Sequence, residues 1–262
     1  MDLERISACT YPVRLEPLDY TFKLLSDSGY RKVDLWGGAP NYSNDPAECD
    51  IAALKDKAES FGLTIANLGT YPGRKLFDNG YESEIAEMRR DIDNAAYLGA
   101  RSIRVSPGHN DDPSTIPELV PFFIESAAYA EERGVYLGME NHAGSIAGNP
   151  KDVMRLVDAV GSPYFGILYE PANLMACRVD YGEAYRLFSG HVVHVHIKDS
   201  RWVGDRYERT MLGEGEVDLA WVVATLEGDG YDGDYALEFE IEQTVAIETG
   251  LPAWLDYFRA VG

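Results

Sequence analysis

The sequence predicts a single-domain α/β protein, a closed (β/α)8 TIM barrel, on three observations. An amphipathic stretch, a glycine and a short apolar run recur along the chain, as in ESFGLTIANLG, AYLGARSIRVS, EERGVYLGMEN and LFSGHVVHVHI. Counting the opening RISACTYP as a strand, eight strand–helix units fill the 262 residues, more than an open sheet of this length needs. No GxGxxG follows the first strand and no GxxxxGK[ST] occurs anywhere, so the doubly wound nucleotide folds lose their main support. At 45% hydrophobic composition the chain can bury one large core, and no linker or low-complexity segment divides residues 1–262.

In order, the glycines Gly29, Gly62, Gly99, Gly134, Gly161, Gly190 and Gly230 stand where a helix closes on a residue with positive φ. Each run after them is rich in Val, Ile, Leu or Tyr, as a parallel strand buried on both faces is. Helices are expected over Leu18 to Ser28, Ala47 to Phe61, Glu82 to Leu98, Ile116 to Arg133, Pro150 to Val160, Tyr181 to Ser189, Asp218 to Glu227, and from about Val245 onward. Pro46, Pro117 and Pro150 fall at helix starts, where a missing N–H costs little.

Composition excludes several classes. With 23 Lys and Arg against 44 Asp and Glu, the net charge of −21 disfavours nucleic acid and anionic membrane as partners. The acidic residues are scattered, which reads as a solvated, self-repelling surface. Cys9, Cys49 and Cys177 are odd in number and form no CxxC, as reduced cysteines in a cytoplasmic protein would be. The N-terminus lacks the apolar length of a signal peptide, and no run approaches a membrane span. The expected partner is a small molecule; a homo-oligomer is left open.

Barrels of this kind place their chemistry at the C-terminal ends of the strands. Strand five ends in Glu140, strand six in Glu170, strand seven in HVVHVHIKDS with His196, and strand eight in Glu238. On strand seven His194, His196 and Lys198 share one face, which is costly to bury unless it meets partners or a metal. Three carboxylates and one imidazole on one rim repel unless a divalent cation joins them. The oxygen-rich set suits one ion, Mn2+ first, with Mg2+ or Co2+ as alternatives, better than a structural zinc site. Such an ion acidifies the C–H next to a carbonyl by stabilising an enediolate, and Glu140 and Glu238 could pass the proton between carbons. Elimination would begin with the same step.

The motifs MENHAGS, LYEPANL, HVHIKDS and GYDGDYALEFE resemble the late-strand motifs of the xylose isomerase-like (sugar phosphate isomerase/epimerase) superfamily. That group includes ketose 3-epimerases, hydroxypyruvate isomerases, inosose dehydratases and family-two apurinic endonucleases. The resemblance implies Glu140, Glu170, His196 and Glu238 as metal ligands, Glu140 and Glu238 also as the acid/base pair, and His142 and Asn173 near the substrate. Glu170 stands where the family usually has aspartate, Asn173 where ketose epimerases have histidine, and Trp202, beside Arg201, where they have a substrate-binding arginine.

Among the remaining residues, Lys198, Trp36 and Arg104 are further candidates for substrate contact, as is Tyr71, although core packing explains the aromatics equally well. Lys198 could instead pair with Asp199, and Glu170, preceding a proline, could cap a helix. His194 reads as a hydrogen-bonded wall residue, His191 as structural, His109 as a surface residue and Glu242 as a solvated loop residue. Glu238 and Glu240 share a face; the family layout selects Glu238. With no glycine-rich phosphate loop and no basic rim cluster, an unphosphorylated substrate is expected. The expected activity is isomerisation or epimerisation of a sugar or related polyhydroxy carbonyl compound, with a metal-dependent lyase as the rival. The endonuclease branch, needing more histidines and a basic groove, is disfavoured, and a binding protein with a degenerate site is the non-enzymatic rival.

Overall fold

Eight parallel strands close on themselves in the computed structural model, which describes residues 1–262. They are β1 (Ile6–Cys9), β2 (Lys32–Trp36), β3 (Thr64–Gly69), β4 (Ser102–Val105), β5 (Tyr136–Glu140), β6 (Phe165–Tyr169), β7 (Val192–Ile197) and, after the hairpin strands β8 (Asp199–Val203) and β9 (Arg206–Thr210), β10 (Tyr235–Leu237). Closure shows in the register, where Ala8 stands beside Leu237 on one side and Val33 on the other. Helices α1 (Leu18–Asp27), α2 (Ile51–Ser60), α3 (Leu76–Asn79), α4 (Tyr81–Leu98), α5 (Ile116–Arg133), α6 (Pro150–Val160), α7 (Pro171–Ala176), α8 (Tyr181–Phe188), α9 (Leu219–Gly228) and α10 (Ile247–Val261) connect the strands.

The seven helix-closing glycines all take positive φ, and Gly99 and Gly134 close the two longest helices in the left-handed conformation. The expected start of α2 is corrected. The Asp50 side chain accepts from the N–H groups of Ala52 and Ala53, so its carboxylate sets the first turn, while Pro46 lies in the turn before it. The main core lies between strands and helices, where Phe123 stacks on Phe165 at 4.5 Å and Phe239 meets Trp254 at 5.1 Å. Each such fully buried ring contributes roughly 2–3 kcal/mol from apolar burial.

The barrel interior also holds a polar ladder. Ser102 Oγ donates to Asn67 Oδ1 (2.6 Å), and Asn67 Nδ2 donates to Asp34 Oδ2 (3.1 Å). The same Asp34 oxygen faces His194 and His196 on β7, so β4, β3, β2 and β7 are joined beneath the rim.

After β7 the chain turns into the β8–β9 hairpin instead of a helix. Asp199, fully buried, organises that departure. Its Oδ1 accepts from the N–H groups of Ser200 (2.8 Å) and Val217 (3.1 Å), and its Oδ2 from those of Gly213 and Gly215 (both 2.9 Å). Lys198 therefore does not pair with Asp199. The hairpin is fastened to α7, since Tyr207 Oη donates to the Ala172 carbonyl (2.6 Å) and Trp202 Nε1 to the Met175 carbonyl (3.1 Å). No helix is long and apolar enough to cross a membrane.

Candidate metal centre and active site

Three side chains from three strand ends converge at the C-terminal rim. Glu140 ends β5, His196 lies near the end of β7, and Glu238 follows β10. His196 Nδ1 lies 3.7 Å from Glu140 Oε1 and 3.5 Å from Glu238 Oε2, and although fully buried it has no hydrogen-bond partner. The other ring nitrogen is occupied. A carboxylate only accepts, so His196 Nε2–H donates to Asp34 Oδ2 (3.0 Å), as does His194 Nε2 (2.7 Å). Asp34 thereby fixes the ring orientation that leaves Nδ1 facing the two glutamates.

Charges around this group are strongly coupled. Burial opposes ionisation of Asp34, but the facing His196 and His194 hold its carboxyl well below the usual range. Burial likewise disfavours the imidazolium of His196, yet Asp34 and Glu238 raise its pKa well above normal. Lys198 Nζ contacts Glu238 Oε2 (2.7 Å) and Glu240 Oε2 (2.9 Å), and those carboxylates with Glu170 hold it charged despite burial. Against its own burial, Glu238 is kept well below its ordinary pKa by Lys198 and then His196. Arg104 donates to Glu140 Oε2 (3.0 Å) and to the Gly69 carbonyl (3.0 Å), with its guanidinium 4.0 Å above the Tyr71 ring.

The expected ligand set divides. Glu140, His196 and Glu238 form a compact group whose ligand atoms lie within 4.8 Å of one another; Glu170 stands outside it. Glu170 Oε1 caps α7 through the Ala172 N–H (2.9 Å), while its Oε2, fully buried and unpaired, lies 3.8 Å from Lys198 Nζ. Burial pushes its pKa up to about 8. The chemistry of the donor set fits a divalent ion. Two carboxylates face an orphaned imidazole nitrogen, with one further orphaned carboxylate oxygen nearby.

A cavity of about 410 Å3 opens above this group, and Arg104, Glu140, His142, Lys198 and Glu238 are among its walls. His142 is exposed there, its Nδ1–H donating to the Ala143 carbonyl (2.8 Å). Asn173 does not line the cavity. Its Nδ2 donates to Glu140 Oε1 (3.2 Å), so it orients the carboxylate. Nor does Trp36, which packs edge-on against Tyr11 at the end of β2. His109, read as a surface residue, lines the cavity, and the basic side chains Arg74 and Arg209, absent from the sequence reading, reach it from distant segments. Asp34 and Asn67 were also missed, although each is a polar residue inside an apolar strand, in KVDLW and TIANLG.

The xylose isomerase-like TIM barrel family model matches residues 22–260. Over 179 residues the chain is 34% identical to 3-oxo-isoapionate decarboxylase of Pectobacterium atrosepticum, a match spanning 66% of this chain and 59% of that protein. Fructoselysine 3-epimerase of Shigella flexneri is 25% identical over 85% of both chains. Among solved structures, a xylose isomerase-like TIM barrel protein from Mycobacterium smegmatis in complex with magnesium superposes with a TM-score of 0.83 at 17% identity, covering 98% of this chain and 96% of that one. With a closed eight-stranded barrel and a family match over nearly its whole length, the chain belongs to the xylose isomerase-like TIM barrel family.

Proposed function

We propose that the protein is a divalent-metal-dependent isomerase or epimerase of a sugar or related polyhydroxy carbonyl compound. The observation that carries this reading is the pair Glu140 and Glu238 facing the unpaired His196 Nδ1 at 3.7 and 3.5 Å under an open cavity. Glu140, His196 and Glu238 would hold the ion, with Glu170 Oε2, unpaired and 3.8 Å from Lys198 Nζ, as a candidate fourth ligand. A bound Mn2+, Mg2+ or Co2+ supplies a Lewis acid that polarises the substrate carbonyl and acidifies the neighbouring C–H.

The chain's own residues do the rest. Glu238, kept ionised by Lys198 and His196, takes the proton. Glu140, oriented by Arg104 and Asn173, gives a proton of its own to the other face or to the adjoining carbon, while Glu238 keeps the one it took and the pair re-equilibrates with solvent before the next turnover. Lys198 and His142, both in the cavity wall, offer donors to substrate oxygens.

The second reading is a lyase on the same scaffold, favoured by the 34% identity to a decarboxylase. Both readings are tested by incubating the Mn2+-loaded protein with ketoses, hydroxy-keto acids and inososes in D2O. Deuterium entering one carbon with the skeleton intact supports isomerase, and loss of water or CO2 supports lyase. No exchange in any candidate would remove both. Glu140→Gln and Glu238→Gln should each abolish exchange, and full activity in either variant removes that residue from the acid/base role.

A further inference from the structure

Four cationic side chains, Arg74, Arg104, Lys198 and Arg209, line the cavity beside three carboxylates, in a chain of net charge −21. Three of these cations are engaged. Arg104 pairs with Glu140 (3.0 Å), Lys198 with Glu238 and Glu240 (2.7 and 2.9 Å), and Arg209 with Glu240 (3.0 Å). Arg74 pairs with no carboxylate. Its Nε donates to His109 Nε2 (2.9 Å), its guanidinium lies 5.3 Å from the Tyr71 ring centroid, and its two terminal amines carry no partner. Because His109 Nε2 accepts that bond, His109 is the neutral Nδ1–H tautomer and serves to aim the guanidinium.

The backbone holding Arg74 is built to stay in place. Gly73 has φ +89°, and a Cβ there would meet the Ser106 carbonyl oxygen at 2.3 Å. The N–H groups of Gly73 and Lys75, on either side of Arg74, both donate to Glu84 Oε2 (2.9 and 3.3 Å), a buried carboxylate of α4. Arg74 is exposed on the cavity wall, held by its backbone on both flanks, met at Nε by the equally exposed His109 and left with a free fork, which is the chemistry of an anion receptor.

We infer that the substrate carries an acidic terminus, a carboxylate or a phosphate monoester, and that Arg74 binds it. The inference rests on the preceding reading for where the reacting carbons lie; the anion site itself does not. The sequence-based expectation of an unphosphorylated substrate rested on the absence of a glycine-rich phosphate loop and of a visible basic rim cluster; the second ground no longer holds, and the choice between carboxylate and phosphate passes to the experiment. The cluster is assembled by the fold, with Arg74 coming from the loop after β3 and Arg209 from β9.

Three six-carbon ketoses differing at one end test this: D-fructose, 5-keto-D-gluconate and D-fructose 6-phosphate. Calorimetric titration into the Mn2+-loaded protein should give one charged member binding at least about tenfold more tightly than fructose, an advantage that shrinks with added salt. Whether the keto acid or the phosphate ester is preferred identifies the source of the anion. Arg74→Gln should erase that advantage while leaving fructose binding unchanged, and Arg74→Lys should restore part of it. Wild-type protein with no preference for either charged ketose, or Arg74→Gln with the preference intact, overturns the inference. Hydrogen exchange in D2O on the same samples reads the enzymatic proposal separately. Exchange with fructose and no effect of Arg74 sinks only the anion site; charge-selective binding without exchange of any ketose sinks only the catalytic reading.

Discussion

His196 Nε2 and Asp34 Oδ2 stand 3.0 Å apart inside the barrel, and that contact decides which ring nitrogen looks into the cavity. Asp34 is carried by β2, three strands round the barrel from β7, and the same oxygen also takes His194 and Asn67. The exposed chemistry at the rim is thus set by a buried carboxylate that no substrate reaches.

Replacing Asp34 with Asn keeps an acceptor for one imidazole but removes the charge that fixes both. Mn2+ affinity should fall by about 10- to 100-fold, the usual cost of removing an outer partner of a ligating histidine. Titration calorimetry on folded Asp34→Asn decides it, and affinity within twofold of wild type would show that Asp34 does not orient the ligand.

Metal binding should release protons. Asp34 and Glu238 raise the pKa of His196 against its burial, and burial raises that of Glu170 to about 8. A ligating imidazole or carboxylate must give its proton up first, so Mn2+ affinity should climb as pH rises from 6 to 8. Titrations in buffers of different ionisation enthalpy should report about one proton or more released per ion at pH 7. Zero release would mean that His196 is already neutral in the metal-free protein.

Asp199 gives a purely structural expectation. Its carboxylate accepts four backbone N–H groups, and a Cβ on Gly215 would meet Asp199 Oδ1 at 2.1 Å. Asp199→Ala leaves those amides without acceptors and should cost at least about 3 kcal/mol in denaturant unfolding. It should also expose the Gly204–Asp205 tip to proteases. Wild-type stability would assign the hairpin's anchorage to Trp202 and Tyr207 alone.

Asp91 on α4 is buried and accepts the Tyr42 hydroxyl proton at 2.6 Å. Burial pushes its carboxyl up to about 7 from an ordinary value of 3.8. Its folded pKa is the higher one, so the folded chain binds more protons between those values and loses stability as pH rises from about 4 to 7. Asp91→Asn should match wild type near pH 4 and exceed it at pH 8 by up to about 4 kcal/mol. Parallel stability curves across that range would contradict the assignment.

The barrel was legible because its signals are local and repeated. Glycine followed seven of the eight expected helices, apolar runs marked the strands, and α5 and α6 begin and end at the residues the pattern indicated. Glu140, His196 and Glu238 were legible for a related reason, since strand ends in a closed barrel are neighbours whatever their separation in sequence. Side-chain choices made in three dimensions were not. Nothing in YEPANL says whether Glu170 turns toward the rim or caps α7, and here one oxygen does the capping. Asn173 reads as a substrate residue until Glu140 Oε1 is found 3.2 Å away. The β8–β9 hairpin was hidden because the carboxylate that organises it, Asp199, looks in sequence like a partner for Lys198. Arg74 and Arg209 meet only through the fold.

Anomalous diffraction from Mn2+-soaked crystals tests the central claim most directly. One strong peak should lie within coordination distance of His196 Nδ1, with oxygens of Glu140 and Glu238 completing the inner ligands. A peak between Asp34 and His194, coordination through His196 Nε2, or no peak at saturating Mn2+ would contradict the account.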